Sequence, residues 1–144
     1  MNLSSEQSHE RLAAHDHGTL ATLHAIRGAD VVPVVYTVVD GHVGVPVDLV
    51  KPKASTRLQR ERNLVSDPRA TLLIEHWDRD DWSALWWVRA QLRWLGDDTA
   101  TPVSDLAARM ADRLAERHAQ YRGHPFARLL VFGVDAVTGW AAEA

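Results

Sequence analysis

The chain has 144 residues, 46% of them hydrophobic and 24% charged, the balance of a soluble globular protein and too few residues for two full enzyme domains. With 16 basic residues against 19 acidic ones, the net charge of −3 gives no general attraction to a polyanion, so nucleic acid is not an expected partner and any anion site must be local. The lack of cysteine excludes disulfides, thiolate metal sites and a cysteine nucleophile, and suits a reducing cytoplasm.

In chain order, Met1–Glu10 is polar and lacks an apolar signal core, and no apolar run reaches the roughly 20 residues that span a bilayer. A cytoplasmic protein without membrane insertion is expected. Ser4 or Ser5 can cap a helix running to about Ala14, with Leu12 and Ala13 as its apolar face. From Gly18 the pattern turns to period-two segments: Thr19–Ile26, Val31–Val39 and His42–Leu49, separated by turns at 27–30 and at Asp40-Gly41. Asp40-Gly41 between two strand-like runs is the strongest hairpin signal in the chain. Ser55–Ser66 reads as a basic surface helix stopped by Asp67-Pro68, and Arg69–Trp77 as a strand. After a polar turn and an irregular Trp82–Leu85, Trp86–Leu95 alternates as another strand. Thr101 or Pro102 opens a helix to about Ala119 on the Leu106, Met110, Leu114 spacing, and Phe126–Trp140 is the last strand, bent near Gly133.

These elements predict one mainly β domain over residues 1–144, a six-stranded antiparallel barrel with flanking helices. Short strands, tight turns and no βαβ repetition argue against a doubly wound sheet.

The densest chemical cluster is Lys51–Leu64, which places Lys51, Lys53, Arg57, Arg60 and Arg62, with Ser55 and Thr56, around an expected helix start. Hydroxyl donors, full positive charges and unpaired helix N–H groups together suit a phosphate. The alternative reading is a solvated basic helix face. A second cluster, Asp81–Arg89, carries Trp82, Trp86 and Trp87, more indole than one face of a thin barrel buries; these rings either cover a cofactor or partner subunit, or form a core edge. His15-Asp16-His17 is not expected to bind metal, since no third ligand follows from the spacing. The sequence has no G-x-S-x-G elbow, no G-x-G-x-x-G and no phosphate loop.

In order along the chain, His17–Thr22, Val32-Pro33-Val34, Val47-Asp48 with Lys51-Pro52-Lys53, Arg62-Asn63-Leu64 with Asp67-Pro68-Arg69-Ala70, Asp81-Trp82, Trp86-Trp87-Val88-Arg89 and Gly139-Trp140 resemble the pyridoxamine 5′-phosphate oxidase-like split β-barrel family. Within it, the pattern is similar to the actinobacterial branch that uses the deazaflavin coenzyme F420. The resemblance implies an FMN-binding type of split barrel, a homodimer with cofactors in grooves between subunits, and a small-molecule substrate. It places Val32 and Pro33 beside the cofactor ring. Val47, Asp48, Lys51, Lys53, Ser55, Thr56, Arg57 and Arg60 fall along the cofactor's phosphate and adjoining chain, and Trp86 and Trp87 near the interface. The vitamin-binding residues of true pyridoxamine phosphate oxidases are not recognisable. The implied activity is hydride transfer between F420 and an electron-poor acceptor, with no protein nucleophile and no assignable catalytic residue. An FMN-dependent oxidoreductase and a non-catalytic binder of flavin, F420 or a tetrapyrrole are the alternatives.

Overall fold

A computed structural model of the protein describes residues 1–47, 58–96, 101–122 and 128–143. Its first helix, α1 (Ser5–Ala14), opens as the sequence predicts. The Ser4 hydroxyl accepts from the Gln7 N–H at 3.1 Å and the Gln7 side chain accepts from the Ser4 N–H at 2.9 Å, a reciprocal cap that satisfies two otherwise orphan donors.

Strands β1 (His17–His24) and β2 (Gly28–Val35) form an antiparallel hairpin in which His24 faces Gly28. The turn therefore lies at 25–27 and not at 27–30. The Nδ1 atom of His24 accepts from the N–H groups of both Ile26 and Arg27, and Gly28 supplies the positive φ of 86° that lets the second strand start early.

The expected single strand Val31–Val39 is two strands. At Tyr36 the chain leaves β2 and enters β3 (Thr37–Val39), which pairs with β4 (His42–Val47) across a two-residue turn. Asp40 and Gly41 have φ of 49° and 72°, as a hairpin of this length requires. Strands β5 (Arg69–His76), β6 (Trp86–Trp94) and β7 (Arg128–Ala141) complete a seven-stranded antiparallel sheet, one strand more than expected, in the order β2-β1-β5-β6-β7-β4-β3. The two edge strands, β2 and β3, are consecutive in the chain. A sheet whose opposite edges are joined at one residue has to curl almost closed, and this is the split barrel. Tyr36 fastens that crossing: its N–H donates to the Asp16 carbonyl at 3.0 Å and its buried hydroxyl to the Leu12 carbonyl at 2.6 Å.

The barrel is filled by inward residues of alternating strands, among them Leu20, Leu72, Ile74, Val88, Ala90, Leu92, Val45, Leu130 and Phe132. Between Gln91 and Leu92 the β6–β7 register shifts by one residue, leaving Asp135 as a bulge near the expected bend. Helix α2 (Gln59–Ser66) lies between β4 and β5, and α3 (Thr101–Arg117) between β6 and β7, its Met110 packed with Val39 and Val131. Among the described residues no helix is long and apolar enough to cross a membrane.

Candidate cofactor groove

The β1–β2 hairpin and the start of α2 enclose a groove of about 340 Å³, lined by Thr22, Arg27, Asp30, Val31, Val32, Leu58, Gln59 and Arg60. Val32 and Leu58 make an apolar wall, and Arg27, Gln59 and Arg60 bring donors to it. The volume lies near the lower end of the range of small-molecule sites, roughly 300–1,000 Å³.

Three buried or half-buried polar residues organise the groove. Asn63, 3% exposed, projects from α2 beneath the hairpin: its Nδ2 donates to Asp30 Oδ2 at 2.9 Å and to Thr22 Oγ1 at 3.0 Å. Its Oδ1 accepts from Gln59 Nε2 at 2.9 Å. Asp30 in turn holds Arg27 through Nη2 at 2.7 Å and Nε at 3.2 Å. The Arg27 guanidinium first, and the Asn63 amide after it, keep the Asp30 carboxyl below the usual carboxylate range.

Two residues earlier on α2, Glu61 is 1% exposed and is paired with Arg128 at the start of β7, whose Nε and Nη2 donate to it at 2.7 and 2.8 Å. The same carboxylate accepts from the Leu58 N–H at 3.1 Å. Helix α2 is thus fastened at its first turn to β7, directly beside Val47, the register partner of Arg128.

These bonds correct the expected helix start. Leu58 has an extended backbone and is the N-cap of a helix that begins at Gln59. Glu61 supports this start, because its carboxylate reaches back from the first turn to accept from the Leu58 N–H. Asp48, Lys51, Lys53, Ser55, Thr56 and Arg57 lie outside the described residues.

Of the remaining sequence-derived candidates, Val32 and Arg60 meet in the groove. Val47 is a core residue at the end of β4, and Pro33 is exposed opposite Thr19. Trp86 and Trp87 occupy opposite faces of β6 and neither lines the groove. Trp86 packs against the core at the other barrel end, under the guanidinium of Arg11 at 4.7 Å and edge-on to His15 at 4.8 Å. It stands six residues along β6 from Leu92, which pairs with Ala70 beside Thr22, a span of about 20 Å at strand rise. Trp87 faces outward beneath Arg89, whose guanidinium carbon is 5.2 Å from the ring, in a shallow depression of about 250 Å³ with Leu73 and Glu75.

Sequence reasoning did not single out Thr22, Arg27, Asp30 or the buried pair Glu61–Arg128. One signal was present: Glu61 lies on the Leu58, Leu64 stripe of α2, where a charged residue must be buried and therefore paired.

No protein-family model and no curated protein matches the sequence. Solved structures do match the fold. A FAD-binding protein from Mesorhizobium loti is 16% identical, with a TM-score of 0.62 over 96% of this chain and 93% of that one. An FMN-binding protein from Syntrophomonas wolfei is also 16% identical, with a TM-score of 0.67 over 95% and 86%. A candidate pyridoxamine 5′-phosphate oxidase from Corynebacterium glutamicum is 13% identical, with a TM-score of 0.59 over 96% and 94%. The fold is the split β-barrel.

Proposed function

We propose that the protein is a flavin-binding oxidoreductase that acts as a homodimer on a small, electron-poor organic molecule. The observation that carries this reading is the groove beside α2, where an apolar wall meets arginine and amide donors in a fold shared with proteins described as FMN- and FAD-binding. Such donors fit an anionic, oxygen-rich chain, and the wall fits the edge of a ring system.

A bound flavin or deazaflavin supplies hydride transfer, so this chain's residues bind, orient and exclude water. Val32 and Leu58 desolvate one side of the groove, and Arg60 attracts the anionic end. Lys51, Lys53, Ser55, Thr56 and Arg57 are assigned to the phosphate on the strength of the sequence pattern. The cofactor choice lies between FMN, in keeping with fold neighbours described as FMN- and FAD-binding, and F420, which rests on the resemblance of the sequence pattern alone. The homodimer is supported by apolar side chains on the outward face of β1, β2 and β5, where Leu23, Val31 and Leu73 are 37%, 58% and 38% exposed.

Titration calorimetry with FMN and with F420, alongside sedimentation velocity, tests this reading. Micromolar or tighter binding of one cofactor by a dimer is expected, and binding of neither refutes it. Lys53→Ala is expected to cost roughly 1.5–3 kcal/mol of cofactor affinity, and an unchanged affinity removes Lys53 from the phosphate site.

A further inference from the structure

An asparagine amide has two N–H donors on one atom and a carbonyl acceptor on the other, and charge decides which way Asn63 points. Asp30, paired with Arg27, is ionised and can only accept, so the Asn63 atom 2.9 Å from it is the nitrogen. The second hydrogen of that nitrogen goes to Thr22 Oγ1, and Oδ1 is taken by Gln59. Thr22 is therefore an acceptor in this chain of bonds, and its own O–H hydrogen is left over. Among the described residues no other hydrogen bond involves the Thr22 side chain, although the residue is 2% exposed. It lines the groove, flanked by Val32 and Arg60.

We propose that the Thr22 hydroxyl is a ligand-binding donor, turned into the groove by the Asp30–Asn63 pair and reserved for an oxygen acceptor of the bound molecule. Rotating the hydroxyl costs little, but reversing its role does not, because Thr22 has to keep accepting from Asn63 or leave a buried N–H without a partner. The groove thereby favours a carbonyl, ether or phosphoryl oxygen at this point: an amine or amide N–H can use the hydroxyl's second lone pair, but it leaves the buried Thr22 O–H without an acceptor. Arg60 beside it adds a preference for an oxygen of an anionic group. This assignment rests on the flavin reading for the identity of that oxygen, which belongs to the phosphorylated side chain of the cofactor.

The test compares the wild type with Thr22→Val and Thr22→Ser by titration with FMN and F420. It also follows the Thr22 methyl resonance by NMR during addition of either cofactor and of inorganic phosphate. Thr22→Val is expected to weaken the cofactor that binds by tenfold or more, and Thr22→Ser by less than about threefold, in keeping with a charge-assisted bond. Should Thr22→Val not fold, Thr22→Ser and a saturable methyl shift in the wild type carry the comparison. Cofactor binding with an unmoved methyl resonance, or equal affinity in Thr22→Val, overturns the donor role and leaves the flavin reading intact. Binding of neither cofactor, with a methyl shift on phosphate alone, overturns the flavin reading and supports the donor. No binding and no shift overturns both.

Discussion

Replacing Glu61 with Ala removes the carboxylate that ties the first turn of α2 to β7. Two charge-assisted bonds from Arg128, at 2.7 and 2.8 Å, and one from the Leu58 N–H disappear together. Breaking a fully buried ion pair by deleting one partner costs about 3–5 kcal/mol. The Arg128 side chain is 30% exposed and can regain part of its hydration, which lowers that term to about 2 kcal/mol. The lost backbone bond adds about 1 kcal/mol. A total near 3 kcal/mol lowers the midpoint of urea unfolding by roughly 1–2 M at ordinary m-values. The assay is urea denaturation followed by tryptophan fluorescence, for Glu61→Ala, Arg128→Ala and the double variant. The two losses should be non-additive by more than about 1 kcal/mol, since both variants break one pair. A Glu61→Ala loss under about 1 kcal/mol, or strict additivity, would falsify the claim that this pair fastens α2.

Two further outcomes follow from the same geometry. A β-carbon at Gly18 would sit 2.7 Å from the Leu73 carbonyl oxygen and 2.8 Å from Ile74 Cγ2, so Gly18→Ala forces β1 and β5 apart. A cost of about 1–3 kcal/mol is expected, read as a melting temperature several degrees lower, and an unchanged melt refutes the close approach. Asp67 is held by Arg69 through its side chain and backbone, moving its carboxyl from the ordinary 3.8 to about 2. A depressed carboxylate stabilises the fold above its unfolded pKa, and that contribution fades as the pH falls from about 4 to about 2. Asp67→Asn should therefore be less pH-sensitive than the wild type in that window, and superimposable acid-unfolding curves would count against the assignment.

Much of the fold was legible because it is written in local periodicity. The helix at Ser4, the Asp40-Gly41 hairpin, the 69–77 and 86–95 strands and the Leu106, Met110, Leu114 helix all appear where their capping, turn and spacing residues put them. The same local logic undercounted the strands. Val31–Val39 is apolar throughout and alternates acceptably as one strand, and nothing within it announces that the ladder changes partners at Tyr36. That break depends on acceptors supplied by Asp16 and Leu12, 20 and more residues away.

The candidate site divides along the same line. Sequence by itself determined the fold class and the barrel's alternating core, because each follows from composition, short-range pattern or family resemblance. Only the tertiary structure decided that Thr22, Asp30 and Asn63 form one bonded group, that Glu61 ties the start of α2 to β7, and that Trp86 and Trp87 face apart. Each of these turns on the direction of a side chain from one element meeting another distant in the chain. Period-two and period-3.6 patterns say which face a residue is on, but not which residue it meets there.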